Sequence, residues 1–131
     1  MRRRALYILI GVTLVLLSAS CGQQHQAKQV IQEFVDQNVT EPSARSAISI
    51  VKFDSTKVLN DSVISLMRTN ADTIKRYVQK PIKYAPGGMG RMLYVARISY
   101  TIYGQEFSDT YYLDEQLTRV VAFKSNGEQE K

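Results

Sequence analysis

The sequence predicts an α+β domain, in the order helix, strand, second helix and three-stranded antiparallel meander packed on the helices. Three patterns carry that expectation. Ala27 to Val39 repeats apolar side chains at helical spacing, Arg91 to Asp114 alternates them with period two around a glycine, and Arg119 to Lys124 adds a short apolar run. A chain of 131 residues has room for one such domain.

The first helix follows from Ala27, Val30, Ile31, Phe34, Val35 and Val39, which share one face, while Lys28, Gln29, Gln32, Glu33 and Asp36 share the other. One-sided hydrophobicity of this kind marks the face that meets a core. Thr40-Glu41-Pro42-Ser43 ends it. Ser46 to Phe53 is rich in Ile and Val and alternates through Ile48, Ser49 and Ile50, which predicts a strand. Asn60 or Asp61 can then cap a second helix carrying Val63, Leu66, Met67, Ile74, Tyr77 and Val78 on its apolar side. Asp72 offers a further cap, and Pro81 closes the segment.

In the meander the even positions Met92, Tyr94, Ala96, Ile98, Tyr100 and Ile102 are mostly apolar, and Arg91, Arg97, Ser99 and Thr101 fall on odd ones. Gly104-Gln105 fits a two-residue type II′ turn with glycine at its first central position. That turn sets Ile102 against Phe107, Tyr100 against Asp109, Ile98 against Tyr111 and Ala96 against Leu113 on the inner face. It sets Tyr103 against Glu106, Thr101 against Ser108, Ser99 against Thr110 and Arg97 against Tyr112 on the outer one. Asp109 is the discordant inner residue, to be satisfied by a tyrosine hydroxyl or by a place near the sheet end. The register of the last strand is left open.

Ahead of the domain, Met1 to Arg4 is cationic, Ala5 to Leu17 is apolar, and Ser18-Ala19-Ser20 is a small-residue stretch ending at Cys21. This is the layout of a secretory signal, and the apolar run falls short of the roughly 20 residues a spanning helix needs. The expected organisation is a removed signal over 1–20, Cys21 with a short tether over 21–26, one α+β domain over 27–124 and a flexible tail over 125–131. Without the first twenty residues the chain holds 14 basic and 12 acidic side chains, so it has no general electrostatic case for nucleic acid.

Leu17-Ser18-Ala19-Ser20-Cys21 resembles the lipobox of bacterial lipoproteins, with Ser18 where the commonest pattern has Leu. The resemblance implies a diacylglycerol on the Cys21 thiol, cleavage just before it, and the membrane as a partner through that lipid. An ordinary signal peptidase, releasing a protein with a free thiol at its terminus, is the competing reading, and an uncleaved anchor is the third. Lipidation accounts for a solitary cysteine in an oxidising compartment. Surface-displayed lipoproteins of the Bacteroidota often carry an acidic run after the cysteine. Gly22-Gln23-Gln24-His25-Gln26 has none, which points to an outer-membrane protein facing the periplasm.

The chemistry of the domain is bounded by what it lacks. His25 is the one histidine and Cys21 the one cysteine, so no histidine metal cluster or Ser-His-Asp triad can be assembled, and no metal or cofactor is expected. Gly87-Gly88-Met89-Gly90 lacks the Lys-Ser/Thr ending of a phosphate loop and precedes a strand. Asp109, Asp114 and Glu115 leave a carboxylate-based enzyme as a minor alternative to a non-enzymatic protein. Between Asp72 and Glu106 every charged residue is basic: Lys75, Arg76, Lys80, Lys83, Arg91 and Arg97. Arg91, Leu93, Val95, Arg97, Tyr103 and Tyr112 together make a candidate interaction face.

The element order resembles the cystatin-like and nuclear-transport-factor-like group, in which a sheet wraps a helix, and small envelope lipoproteins of the Bacteroidota. The expected function is therefore a lipid-anchored, non-enzymatic binding or accessory module with a possible envelope protein partner. The resemblance implies an alternative, a small-ligand cup between sheet and helix, which a cavity lined by Tyr94, Tyr100 and Tyr111 would mark.

Overall fold

Helix α1 covers residues 22–38 in the computed structural model, which describes residues 22–39, 42–57, 60–74, 82–87 and 90–126. Ala27, Ile31, Phe34, Val35 and Val39 are buried as their spacing predicts. Residues 22–26, expected as a tether, are helical as well. Glutamine is a good helix former. Here it also finds partners: Gln23 donates to the Tyr94 hydroxyl at 3.2 Å, and Gln26 donates to the Leu117 carbonyl at 3.1 Å. Residues 1–21, with the expected signal and Cys21, lie outside the described residues.

After a 3-10 turn at Pro42–Ala44, Arg45 forks onto Asp36 with contacts of 2.7 and 2.9 Å and pairs with Ile102 as an isolated bridge. Strand β1 then runs Ser49–Thr56, three residues later than predicted at both ends. A bulge between Ile50 and Lys52 inserts Val51, which is 63% exposed. The extra residue reverses the alternation, so Phe53 faces inward opposite Ala96 and Lys52 outward opposite Arg97.

Helix α2 spans Asp61–Ala71, and the Asn60 side chain caps it by accepting from the Val63 N–H at 3.0 Å. Its buried face is Ile64, Met67 and Ala71; Val63 is partly exposed and Leu66 is 61% exposed, so the predicted stripe was rotated and only Met67 is shared. The rotation follows from what α2 meets: it lies along the last strand, and Arg68 donates to the Val121 carbonyl at 2.8 Å. Tyr77, Val78 and Pro81 lie outside the described residues. Asp72 is the C-cap of α2, and the segment that it was expected to open lies largely outside the described residues.

Strands β2 (Leu93–Ile102), β3 (Gln105–Leu113) and β4 (Val120–Ser125) complete a four-stranded antiparallel sheet in the order β1-β2-β3-β4. The fold is thus α+β, with two α-helices and four strands among the described residues, β1 having joined the meander as an edge. The predicted hairpin has the right faces and the wrong register. Ile98 opposes Asp109, Ala96 opposes Tyr111 and Arg97 opposes Thr110, each two residues from the predicted partner. The cause is the turn: Tyr103 (φ 51°) and Gly104 (φ 81°) are its two central residues, both left-handed, which is type I′ and not type II′. A shift of two preserves the pleat, so every side chain keeps its side of the sheet.

The core lies between α1 and the inner face. Phe34 meets Tyr111 and Phe123 edge-on at 5.9 and 5.6 Å, and those two rings stack at 4.9 Å. Asp109 is fully buried among them, with the Tyr100 hydroxyl 3.5 Å from its Oδ2. A second bulge at Val121 lets Val120 and Phe123 both face inward, while Val121 and Ala122 meet Ile64, Met67 and Leu93 under α2. Strand β4 runs to Ser125, and Asn126 is held by Ser108 and Thr110.

Candidate binding site

Register decides what the outer face displays. Lys52 opposes Arg97, Arg97 opposes Thr110, and Thr110 opposes Lys124, so one row across all four strands reads Lys, Arg, Thr, Lys. The next row reads Asp54, Val95, Tyr112 and Ala122. Helix α2 covers the Ala122 end, together with Leu93, and stops there. The uncovered part is a shallow trough of about 280 Å³ lined by Lys52, Asp54, Ser55, Val95, Arg97, Thr110, Tyr112, Lys124 and Asn126.

Its floor is fixed by hydrogen bonds. The Thr110 hydroxyl donates to Asn126 Oδ1 at 2.9 Å, and Asn126 Nδ2 donates to Ser108 at 3.2 Å. Asp54, the one carboxylate in the lining, turns Oδ1 toward the Ser55 N–H at 2.8 Å. Arg45 is ion-paired with Asp36, whereas Lys52, Arg97 and Lys124 have no carboxylate partner among the described residues. Like charges directly opposite one another across a strand pair are unfavourable by a few tenths to about 1 kcal/mol.

The predicted face does not survive as one surface. Val95, Arg97 and Tyr112 are together in the trough. Leu93 is only 3% exposed beneath α2, because β2 is covered on its outer side at that end. Arg91 is exposed just before β2, and Tyr103 is exposed in the hairpin turn, about 40 Å away by strand rise. Of the basic run, Lys83 is exposed and Lys75, Arg76 and Lys80 lie outside the described residues. Lys52, Asp54, Ser55, Thr110, Lys124 and Asn126 were missed. Lys124 was legible as the outward residue after Phe123, but Lys52 was hidden by the bulge, since plain alternation from Ile48 and Ile50 turns it inward.

The three carboxylates do not converge. Asp109 is in the core, about 17 Å of strand from Asp114. Asp114 ties its own turn, accepting from the Thr118 N–H at 2.7 Å, the Arg119 N–H at 2.9 Å and the Thr118 hydroxyl. Burial pushes its carboxyl up, but these hydrogen bonds and the nearby Arg119 guanidinium outweigh burial and hold it below the ordinary aspartate value. Glu115 is exposed beside Gly90.

Of the glycine loop, Gly88 and Met89 lie outside the described residues, and Gly87 serves packing. A Cβ at Gly87 would sit 2.6 Å from Arg119 Nε, and Arg119 is itself buried with Nη1 3.5 Å from the Ala85 carbonyl. Of the three tyrosines proposed for a cup, Tyr100 and Tyr111 are packed in the core, and Tyr94 stacks on Phe53 at 5.4 Å. Tyr84 is different. Its hydroxyl is buried without a hydrogen-bond partner, Arg68 lies 4.4 Å over its ring, and burial pushes its pKa up to about 12.

Among the described residues no group of three histidine, cysteine or acidic side chains could hold a metal, and no helix is long and apolar enough to cross a membrane. Comparison with known protein families, curated proteins and solved structures returned no match.

Proposed function

We propose that the chain is an exported lipoprotein, held by a lipid on Cys21 to the outer membrane on its periplasmic side, and that it works there as a non-enzymatic binding module. Its working surface is the open part of the outer sheet face. One observation carries the binding half of this reading: α2 covers one corner of that face, and the remainder presents a trough with three cations and one carboxylate. The lipobox-like residues Leu17 to Cys21 carry the anchoring half. Because residue 22 is already helical, a lipid on Cys21 would hold the domain against the bilayer with no spacer. A helix packed along one face of an antiparallel sheet in this order supports a cystatin-like reading of the fold.

The small-ligand cup remains the second reading, and the orphaned Tyr84 hydroxyl beside Phe34 favours it. Against it stand the rings of Tyr100, Tyr111 and Phe123, which are engaged with one another and with Phe34 and Phe107.

The anchor is tested by metabolic labelling with a palmitate analogue in a cell that processes lipoproteins. Label should enter the wild-type chain and not Cys21→Ser, which should leave the membrane fraction. Two or three acyl chains, at about 0.8 kcal/mol per buried methylene, hold a protein firmly. Equal labelling of both chains removes the lipid from the proposal.

A further inference from the structure

We infer that the trough is a site for small organic dianions of the phosphate-ester class, with the phosphate held among Arg97, Lys124 and Lys52 and the organic body resting on Val95 and Tyr112. The inference rests on the outer face being the working surface and names what it takes. The row itself is the first argument. Lys52 directly opposite Arg97, with Lys124 in the same row and no carboxylate partner for any of them among the described residues, is a repulsive arrangement that an anion relieves.

The sequence of sizes is the second. Thr110 is short and lies between Arg97 and Lys124, whose backbones are two strand spacings, about 9.5 Å, apart. The two long side chains therefore flank a gap wide enough for one oxyanion and can fold over it. Thr110 is held in place by Asn126, which keeps that floor from moving when the ligand arrives.

Charge selects the class. Three cations against Asp54 leave the lining at +2, which a phosphate monoester neutralises and a carboxylate monoanion does not. The guanidinium fork of Arg97 suits two oxygens of a phosphate. Beside it, Val95 and the half-buried Tyr112 offer apolar surface to the rest of the ligand. The volume of about 280 Å³ lies just under the usual small-molecule range of roughly 300–1,000 Å³, which suits a small ligand. A lipid headgroup fits less well. Gln23, two residues after the proposed anchor, meets Tyr94 near the start of β2, whereas Arg97 and Thr110 lie mid-strand.

The test uses the full chain in non-ionic detergent, followed by backbone amide NMR and calorimetry during titration with phenyl phosphate, inorganic phosphate and benzoate. Saturable shifts should be confined to the neighbourhood of Arg97, Thr110, Tyr112 and Lys124. Phenyl phosphate should bind at least tenfold more tightly than benzoate and more tightly than inorganic phosphate, and should weaken as salt is added. Arg97→Glu and Lys124→Glu should each weaken it tenfold or more. Arg97→Gln, which removes the charge without reversing it, serves should the first variant fail to fold.

Shifts that never saturate and extend to exposed lysines such as Lys83, or equal binding by the folded variants, overturn the inference. So does binding to phosphatidylglycerol vesicles without binding to phenyl phosphate. The broader reading fails separately. If phenyl phosphate does not bind but an envelope protein crosslinks through residue 97, the module stands and the ligand class falls. If neither phenyl phosphate nor any partner engages the face, the outer surface has no binding role.

Discussion

The two faces of the sheet are built from the same strands by strict alternation and yet have opposite fates. On the inner face α1 lies across the rows, and Phe34, Tyr111 and Phe123 close over Ile98, Ala96 and Leu113. On the outer face α2 is only 11 residues long and follows β4, so it seals Leu93, Val121 and Ala122 and leaves the rows beginning at Lys52 and Asp54 open. Burial on one side makes the fold. On the other side the chain has placed three cations where salt-bridged pairs would have been more stabilising, which separates stability from use across a single layer of backbone.

The sharpest way to break the comparison is to exchange the roles of neighbours on β2. Ile98 is fully buried and directly opposite Asp109, whereas Arg97 is exposed. Ile98→Asp would bury a second carboxylate against the first and should cost more than about 4 kcal/mol, enough to unfold a marginal domain. Arg97→Asp should change stability by less than about 0.5 kcal/mol. Urea melts of the two variants measure the difference, and a larger loss for Arg97→Asp would mean that the faces are inverted.

An intermediate effect is expected where the faces are joined, at the turn between β3 and β4. Asp114→Asn keeps the shape and removes the charge that Thr118 and the Arg119 backbone bind, so it should cost about 1.5–3 kcal/mol at neutral pH. The folded-state pKa of Asp114 lies below its unfolded value. Its contribution is therefore complete above the ordinary aspartate value of about 3.9 and is lost as pH falls through that value toward the folded one. Melts from pH 7 to pH 3 should show the wild type and Asp114→Asn converging in acid. A gap that stays constant with pH would assign the loss to shape rather than charge.

How much of this was legible can be traced to particular residues. The α1 stripe and the β2–β3 faces were readable because period and parity do not depend on tertiary context. The register was missed through Tyr103. A bulky residue at positive φ is uncommon, so Gly104 was given the first left-handed position when it takes the second. The polar run from Gly22 to Gln26 was read as a linker, although glutamine extends a helix when its amide has somewhere to bond. The unbroken apolar run Val120 to Phe123 was a sign that β4 is covered on both faces, as its continuous burial bears out. Taken up, it would have placed α2 on the outer face and withdrawn Leu93 from the surface. The trough itself was out of reach: its row is assembled by a bulge in β1 and by a register that only the turn type sets.

The smallest expected change in stability sharpens the comparison most. Lys52→Glu replaces a like-charge pair directly across from Arg97 with an opposite one, on an edge strand where both side chains are solvated. Cross-strand charge pairs of this kind stabilise by roughly 0.2–1 kcal/mol, so the variant should melt at the same urea concentration or slightly higher. The same substitution takes the trough from +2 to neutral and gives Arg97 a carboxylate in place of a ligand oxyanion, so phenyl phosphate binding should fall while the fold gains. An outer face selected only for solubility would show the gain in stability without any loss of binding to lose. A variant more stable than the natural chain and poorer at holding a dianion is what a face kept repulsive for a ligand must give, and urea melts paired with calorimetry on the one protein read both quantities.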